Sequence, residues 1–278
     1  MVTKNSNLSL YLRIISYSVL AFTLAFLINN VLTVWSDWPG IKKIFSHHEM
    51  FGYKKKALEG SDLNYGYMQI GLYLICIAAV VFYVFKTYSQ TLEQDSKILS
   101  RFSAYLVRSS FWAVFLVGVA DFVISFMVVE RLWEAIFSPE VKALMVKAPV
   151  RITYIHFPII LISFVIGYFT KSVGFIWLAV LVVVSEFVIV LSRFIFSYEQ
   201  AFQGDLVRFW YAALYLFASA YALIHEGHVR VDVLYSSFSE KKKAWTNMVG
   251  SAVLGVPLTL IVIFLGLNGK ASIINGPV

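Results

Sequence analysis

Two carboxylates and an imidazole stand where hydrocarbon solvent is expected. Asp121 lies in the apolar run 111–129, His156 in 152–169 and Glu186 in 173–196. An ionised acid at the centre of a membrane helix costs about 2.5–3.5 kcal/mol on insertion scales. Each acid must therefore face another polar group or keep its proton. Counting at about 1.5 Å per residue from the short connection 170–172 puts His156 and Glu186 at similar depths, about 20 and 18 Å. The two could then meet within one hairpin. Such a set fits either a proton or ion relay, or a buried polar clamp that fixes helix packing. The runs lack a Ser-, Thr- or Asn-rich pathway, which favours the clamp.

The other histidines are His47, His48, His225 and His228. His225 and His228 have helical i, i+3 spacing, but Gly227 falls between them. No cysteine or carboxylate pair completes a metal set. The single cysteine, Cys76, sits in an apolar run and reads as a packed thiol. No metal, haem or other cofactor is expected. A Gly-rich phosphate loop, a nucleophile elbow and a zincin motif are all absent, so no catalytic residue is assigned and the chain does not read as an enzyme.

The elements that hold these residues follow from composition. Of 278 residues, 59% are hydrophobic and only 14% charged, against roughly 45–50% and 25% in soluble domains. About seven apolar runs stand out, near 14–35, 66–85, 111–129, 152–169, 173–196, 206–224 and 245–267. Each is long enough to cross about 30 Å of hydrocarbon as a helix. Alternating strands are absent, which excludes a membrane barrel. The fold class is therefore all-α, a polytopic membrane protein with about seven transmembrane helices. Residues 1–9 are polar, and the run after them exceeds a signal peptide's apolar region, so it reads as a retained first span.

The net charge of +7 resides in the connections. It reads as contact with anionic lipid headgroups, not with nucleic acid. Lys and Arg divide almost evenly between alternate connections, so charge leaves the orientation open. The polar stretch 87–110 could hold an interfacial helix, and the short connection 170–172 predicts an antiparallel hairpin. A faint internal echo links 112–124 with 177–189: in both, an acid followed by Phe-Val-Ile comes nine residues after a Trp.

The stretch from Tyr221 to Tyr235 is the most informative. Gly227 can end a helix in the left-handed conformation. Arg230 and Asp232 offer opposite charges across one residue, and Asp232 is a candidate N-cap. Leu234, Tyr235 and Phe238 recur at helical spacing, which predicts a short helix on the membrane surface. Ser239 can cap the final span, with Lys241, Lys242 and Lys243 at the headgroups. By itself this describes a well-capped loop between two spans. The octet His225-Glu226-Gly227-His228-Val229-Arg230-Val231-Asp232 also resembles the signature of the small, DctQ-type membrane subunit of tripartite ATP-independent periplasmic (TRAP) transporters. Arg193-Phe194-Ile195-Phe196 is similar to the family's Arg-aromatic-x-Phe, and Asp205 to an acid that opens its next helix. The resemblance covers about 173–267.

The resemblance implies a division into an N-terminal extension of about four spans, 1–172, and a DctQ-like region, 173–278, whose expected last helix is missing. It implies a multi-pass protein of the bacterial inner membrane, with a large TRAP membrane subunit and a periplasmic binding protein as partners. It also implies a non-catalytic bracing role while the large subunit imports an organic acid or related solute on an ion gradient. Arg193, Asp205, Glu226, Gly227, His228, Arg230 and Asp232 would belong to the subunit junction, together with Ala212, Ala218, Ser219 and Ala220. A stand-alone secondary transporter or channel, and a membrane anchor of a respiratory enzyme, are the competing readings.

Overall fold

The computed structural model describes residues 7–171, 175–224, 234–267, 269 and 272. Among them the regular structure is helical, with no strand. The helices are α1 (Asn7–Trp35), α2 (Ile41–His47), α3 (Ser61–Lys86), α4 (Leu92–Val129), α5 (Trp133–Ile136), α6 (Pro139–Met145), α7 (Ala148–Arg151), α8 (Phe157–Phe169), α9 (Phe175–Phe196), α10 (Ala201–Ile224), α11 (Glu240–Gly250) and α12 (Val256–Gly266). Six stretches among the described residues are long and apolar enough to cross a membrane: α1, α3, α4, Pro149–Phe169, Ala179–Phe196 and Glu240–Gly266. With α10, which at 24 residues would span about 36 Å, they correspond to the seven runs expected. Large apolar side chains face outward along them, including Ile75, Phe194 and Leu254, as lipid-facing helices require.

The chain divides into two compact units, Met1–Ser96 with Asp232–Val278, and Lys97–Val231. The division at 172/173 drawn from the resemblance follows the family-like part of the sequence and not this packing.

In the first unit α1 and α3 pack along their lengths. Tyr17 meets Tyr83 edge-on at 5.4 Å, and Phe22 meets Tyr73 at 5.2 Å. One buried ion pair fixes an end of this unit. Arg13, 2% exposed, donates from Nε to Asp95 Oδ2 at 2.5 Å. The remaining guanidinium donors go to the carbonyl and hydroxyl of Thr87, at 2.9 and 2.8 Å. A buried charge is tolerated only when paired and fully hydrogen-bonded, and this one is. At the opposite end Gln69 accepts from the Gly40 amide at 2.9 Å and donates to Thr33 at 3.0 Å. The last span joins the same unit: Phe264 of α12 stands edge-on to Phe26 at 4.4 Å, and Asn30 donates to the Leu267 carbonyl at 2.7 Å.

In the second unit α4 is the central wall. It runs for 38 residues without a break, so the polar stretch 87–110 is helical from Leu92 onward and continuous with the third span. Gly167 of α8 lets the helices close: a β-carbon there would lie 2.9 Å from the Ser109 backbone of α4. Gly118 does the same for the Trp210 indole of α10. Small residues at such crossings allow the close packing that holds helices together in lipid.

Two spans carry a π turn, Ile152–His156 before α8 and Ser251–Gly255 before α12. A proline follows each by two residues, Pro158 and Pro257. Proline has no N–H and clashes with the carbonyl four residues back. Those carbonyls belong to Tyr154 and Val253, inside the widened turns, so the extra residue per turn absorbs the misfit.

Residues 234–238 form a turn closed by Phe238 N–H to Tyr235 carbonyl at 3.0 Å. The surface helix expected there is absent from the described part, and the segment before it lies outside the described residues. Ser239 does occupy the N-cap position of α11, but its hydroxyl makes no capping bond. The turn is held instead by Tyr235, which exchanges hydrogen bonds with the Asn247 side chain at 2.9 and 3.1 Å.

Candidate functional site

Asp121 lies on α4, eight residues before its end. Its Oδ1 accepts from His156 Nε2 at 2.9 Å and from the Arg151 guanidinium at 3.3 Å. The three side chains are half-buried or nearly so. The π turn makes this possible. In a regular α-helix residues five apart point about 140° away from each other. The widened turn begins just after Arg151 and ends at His156, and both residues reach one carboxylate. The His156–Glu186 contact is thus not formed. His156 pairs with Asp121, and Glu186 is exposed in the middle of α9 with no hydrogen bond or ion pair among the described residues. The reason is the bulge, which turns His156 toward α4. The echoed acids, Asp121 and Glu186, therefore meet different surroundings. Their tryptophans differ too: Trp112 donates to Thr170 at 3.2 Å, whereas Trp177 is exposed.

Chemically, the Asp121 cluster is a clamp between α4 and the start of the fourth span. One carboxylate neutralises one guanidinium and orients one imidazole. Among the described residues no group of three or more His, Cys, Asp or Glu converges as a metal set would.

At the membrane end where α4 stops, a second polar set ties α4 to the connection between α9 and α10. Tyr198 and Gln200 both donate to the Glu130 carboxylate. Arg193, in the last turn of α9, donates from Nε to Glu199 Oε2 at 2.9 Å. Gln203 reaches back to Ser192 at 2.8 Å. Arg193 therefore closes the α9–α10 connection. Asp205, in the first turns of α10, has only a loose 3.5 Å contact with Arg208, both largely exposed. Of the small residues expected at the junction, Ala212 and Ser219 are exposed and Ala218 and Ala220 half-buried. Glu226, Gly227, His228, Arg230 and Asp232 lie outside the described residues.

Sequence reasoning missed Arg151, Glu130, Glu199 and the Arg13–Asp95 pair. Arg151 looked like one more connection charge. The available signal was the Arg-x4-His-Phe-Pro order, since a proline just after His156 widens the turn before it. Arg13 was overlooked because the apolar run was started one residue beyond it.

No curated protein and no solved structure matches the chain. A family model does: residues 180–276 match tripartite ATP-independent periplasmic transporters, DctQ component. The match takes in Arg193, Asp205 and the whole His225–Asp232 octet, and it identifies the C-terminal third of this helical membrane chain as similar to the DctQ component of TRAP transporters.

Proposed function

We propose that the chain is the small membrane subunit of a TRAP transporter, a multi-pass protein of a bacterial inner membrane that braces the large permease subunit. The observation that carries this reading is the family match over 180–276 in a chain of membrane-length helices. An elevator-type permease needs one wall that stays still while another slides. Helices in lipid associate by packing and interhelical hydrogen bonds, with little hydrophobic drive. The exposed side of α10, with Ala212 and Ser219, and the exposed Glu186 of α9 supply small and polar groups for such an association. The octet, with Glu226, Arg230 and Asp232, fixes the loop at that junction. The helices of 1–172 widen the wall and raise the energy needed to tilt it. The basic first turn of α11, with Lys241, Lys242 and Lys243, meets anionic headgroups. The imported solute is an organic acid or related compound captured by a periplasmic binding protein.

The test is reconstitution. In liposomes under an ion gradient this chain alone is expected to give no uptake. With the large subunit and the binding protein present, uptake is expected. Gradient-driven uptake by the chain alone would overturn the reading. Arg230→Ala is expected to weaken co-purification with the large subunit; undiminished co-purification and transport would remove the octet from the junction.

A further inference from the structure

A cavity of about 260 Å³ opens between α4, α7 and α10, entirely within the second unit. Phe122, Phe209 and their apolar neighbours make most of its wall, and Ser125, Asp121, Arg151 and Asp205 supply the polar part. The wall is amphiphilic along its depth. Asp205 and Arg151 sit at the starts of α10 and of the fourth span. Asp121 lies eight residues inside α4, about 12 Å from its end. With α4 and the fourth span crossing the bilayer, such a cavity would run from the headgroup layer into the hydrocarbon.

Its polar groups carry opposite signs. Arg151 uses one terminal nitrogen on Asp121, and its Nε is buried without a hydrogen-bond acceptor. The Arg151 side chain as a whole is 24% exposed, and an acceptor of negative charge is a guanidinium's best partner. Asp205 carries the opposite charge. Its contact with Arg208 is long and 77% of its side chain is exposed, so its carboxylate is open to a cation. Asp121 is committed to Arg151 and His156. The wall thus offers a guanidinium and an exposed carboxylate above an apolar floor.

We propose that this cavity binds the headgroup of a phospholipid bearing a primary amine, of the phosphatidylethanolamine type. The phosphate accepts from Arg151, the ammonium donates to Asp205, and an acyl chain lies along Phe122 and Phe209. A glycerol headgroup brings no cation for Asp205. A trimethylated headgroup brings a cation without N–H donors. Two of the three walls, α4 and α7, lie outside residues 180–276, whereas α10, with Asp205 and Phe209, lies inside them; lipid retention by the isolated chain is read without reference to transport.

The experiment uses the full-length chain, delipidated in mild detergent and offered phosphatidylethanolamine, phosphatidylglycerol and phosphatidylcholine with identical acyl chains. Bound lipid is read by native mass spectrometry. The ethanolamine lipid is expected to be retained roughly tenfold over the other two, the scale of one charge-assisted hydrogen bond. Asp205→Asn is expected to lower it to the level of phosphatidylcholine, and Arg151→Gln to weaken all three lipids. Equal retention of the three by the unaltered chain overturns the proposal whether or not the variants fold. So does an undiminished preference in a monodisperse Asp205→Asn protein. Displacement of the lipid by an equal concentration of soluble phosphoethanolamine would also overturn it, by showing a site for a free phosphorylated amine.

Discussion

Asp121 shows how one oxygen can decide a local arrangement. Both His156 and Arg151 use its Oδ1, so removing it orphans two donors at once. Asp121→Leu is expected to destabilise the detergent-solubilised protein by about 1–3 kcal/mol, read as a lowered midpoint in a thermal-shift series. Replacing the exposed Glu186 by Leu removes no hydrogen bond or ion pair among the described residues and is expected to leave the isolated chain's stability within about 0.5 kcal/mol. Outside the spans, Lys142 donates to Glu134 and holds its carboxyl below the ordinary carboxylate range. Because the folded value is depressed, the contact is intact at neutral pH and fades only as pH drops through that lowered value. The Glu134 side-chain signal in a carbon NMR titration is therefore expected to have a midpoint below about 4.3, returning toward it in Lys142→Gln. The polar identity of Asp121 and His156 was legible from the sequence, because charge inside an apolar run is conspicuous. Their pairing was not, because depth counts on a regular helix do not foresee a π turn.

At the level of elements, packing depends on where bulk is excluded. Gly167 faces the Ser109 backbone at a distance no β-carbon tolerates, whereas Gly71 of α3 has nothing near it. Gly167→Ala is expected to cost about 1–3 kcal/mol through forced separation of α4 and α8. Gly71→Ala is expected to be neutral or stabilising by up to about 1 kcal/mol. Parallel thermal melts of the two variants check both signs. Arg108 supports the same crossing by donating to the Gly167 carbonyl at 3.2 Å, near the α8 C-terminus where carbonyls lack helical partners. The buried Arg13–Asp95 pair is more demanding. Asp95→Ala leaves a guanidinium buried without its carboxylate and is expected to cost about 3–5 kcal/mol, while Arg13→Met with Asp95→Leu recovers much of that loss. The positions of the spans were readable, since hydrocarbon thickness fixes their length. The start of α4 was not: Glu93, Asp95, Lys97, Arg101 and Arg108 give its first half the look of a connection, and only tertiary partners reveal that these charges sit on a continuous helix.

For the whole molecule, the family-like stretch and the compact units do not coincide. Residues 180–276 begin in the unit built around α4 and finish in the unit built around α1 and α3. Sequence similarity follows ancestry along the chain, whereas compactness follows which faces touch, and α12 touches α1. Phe264 is flanked by Phe22 and Phe26, and the Leu267 carbonyl receives Asn30. The leading helices thus supply a socket for the trailing one. A polypeptide starting at Val173 would insert its final segment with that socket gone, leaving aromatic edges against acyl tails and the Leu267 carbonyl without the Asn30 side-chain amide. Such a fragment is expected to be cleared by membrane proteases, visible as a faint band in pulse-chase labelling, and to persist when residues 1–96 are supplied on a separate polypeptide.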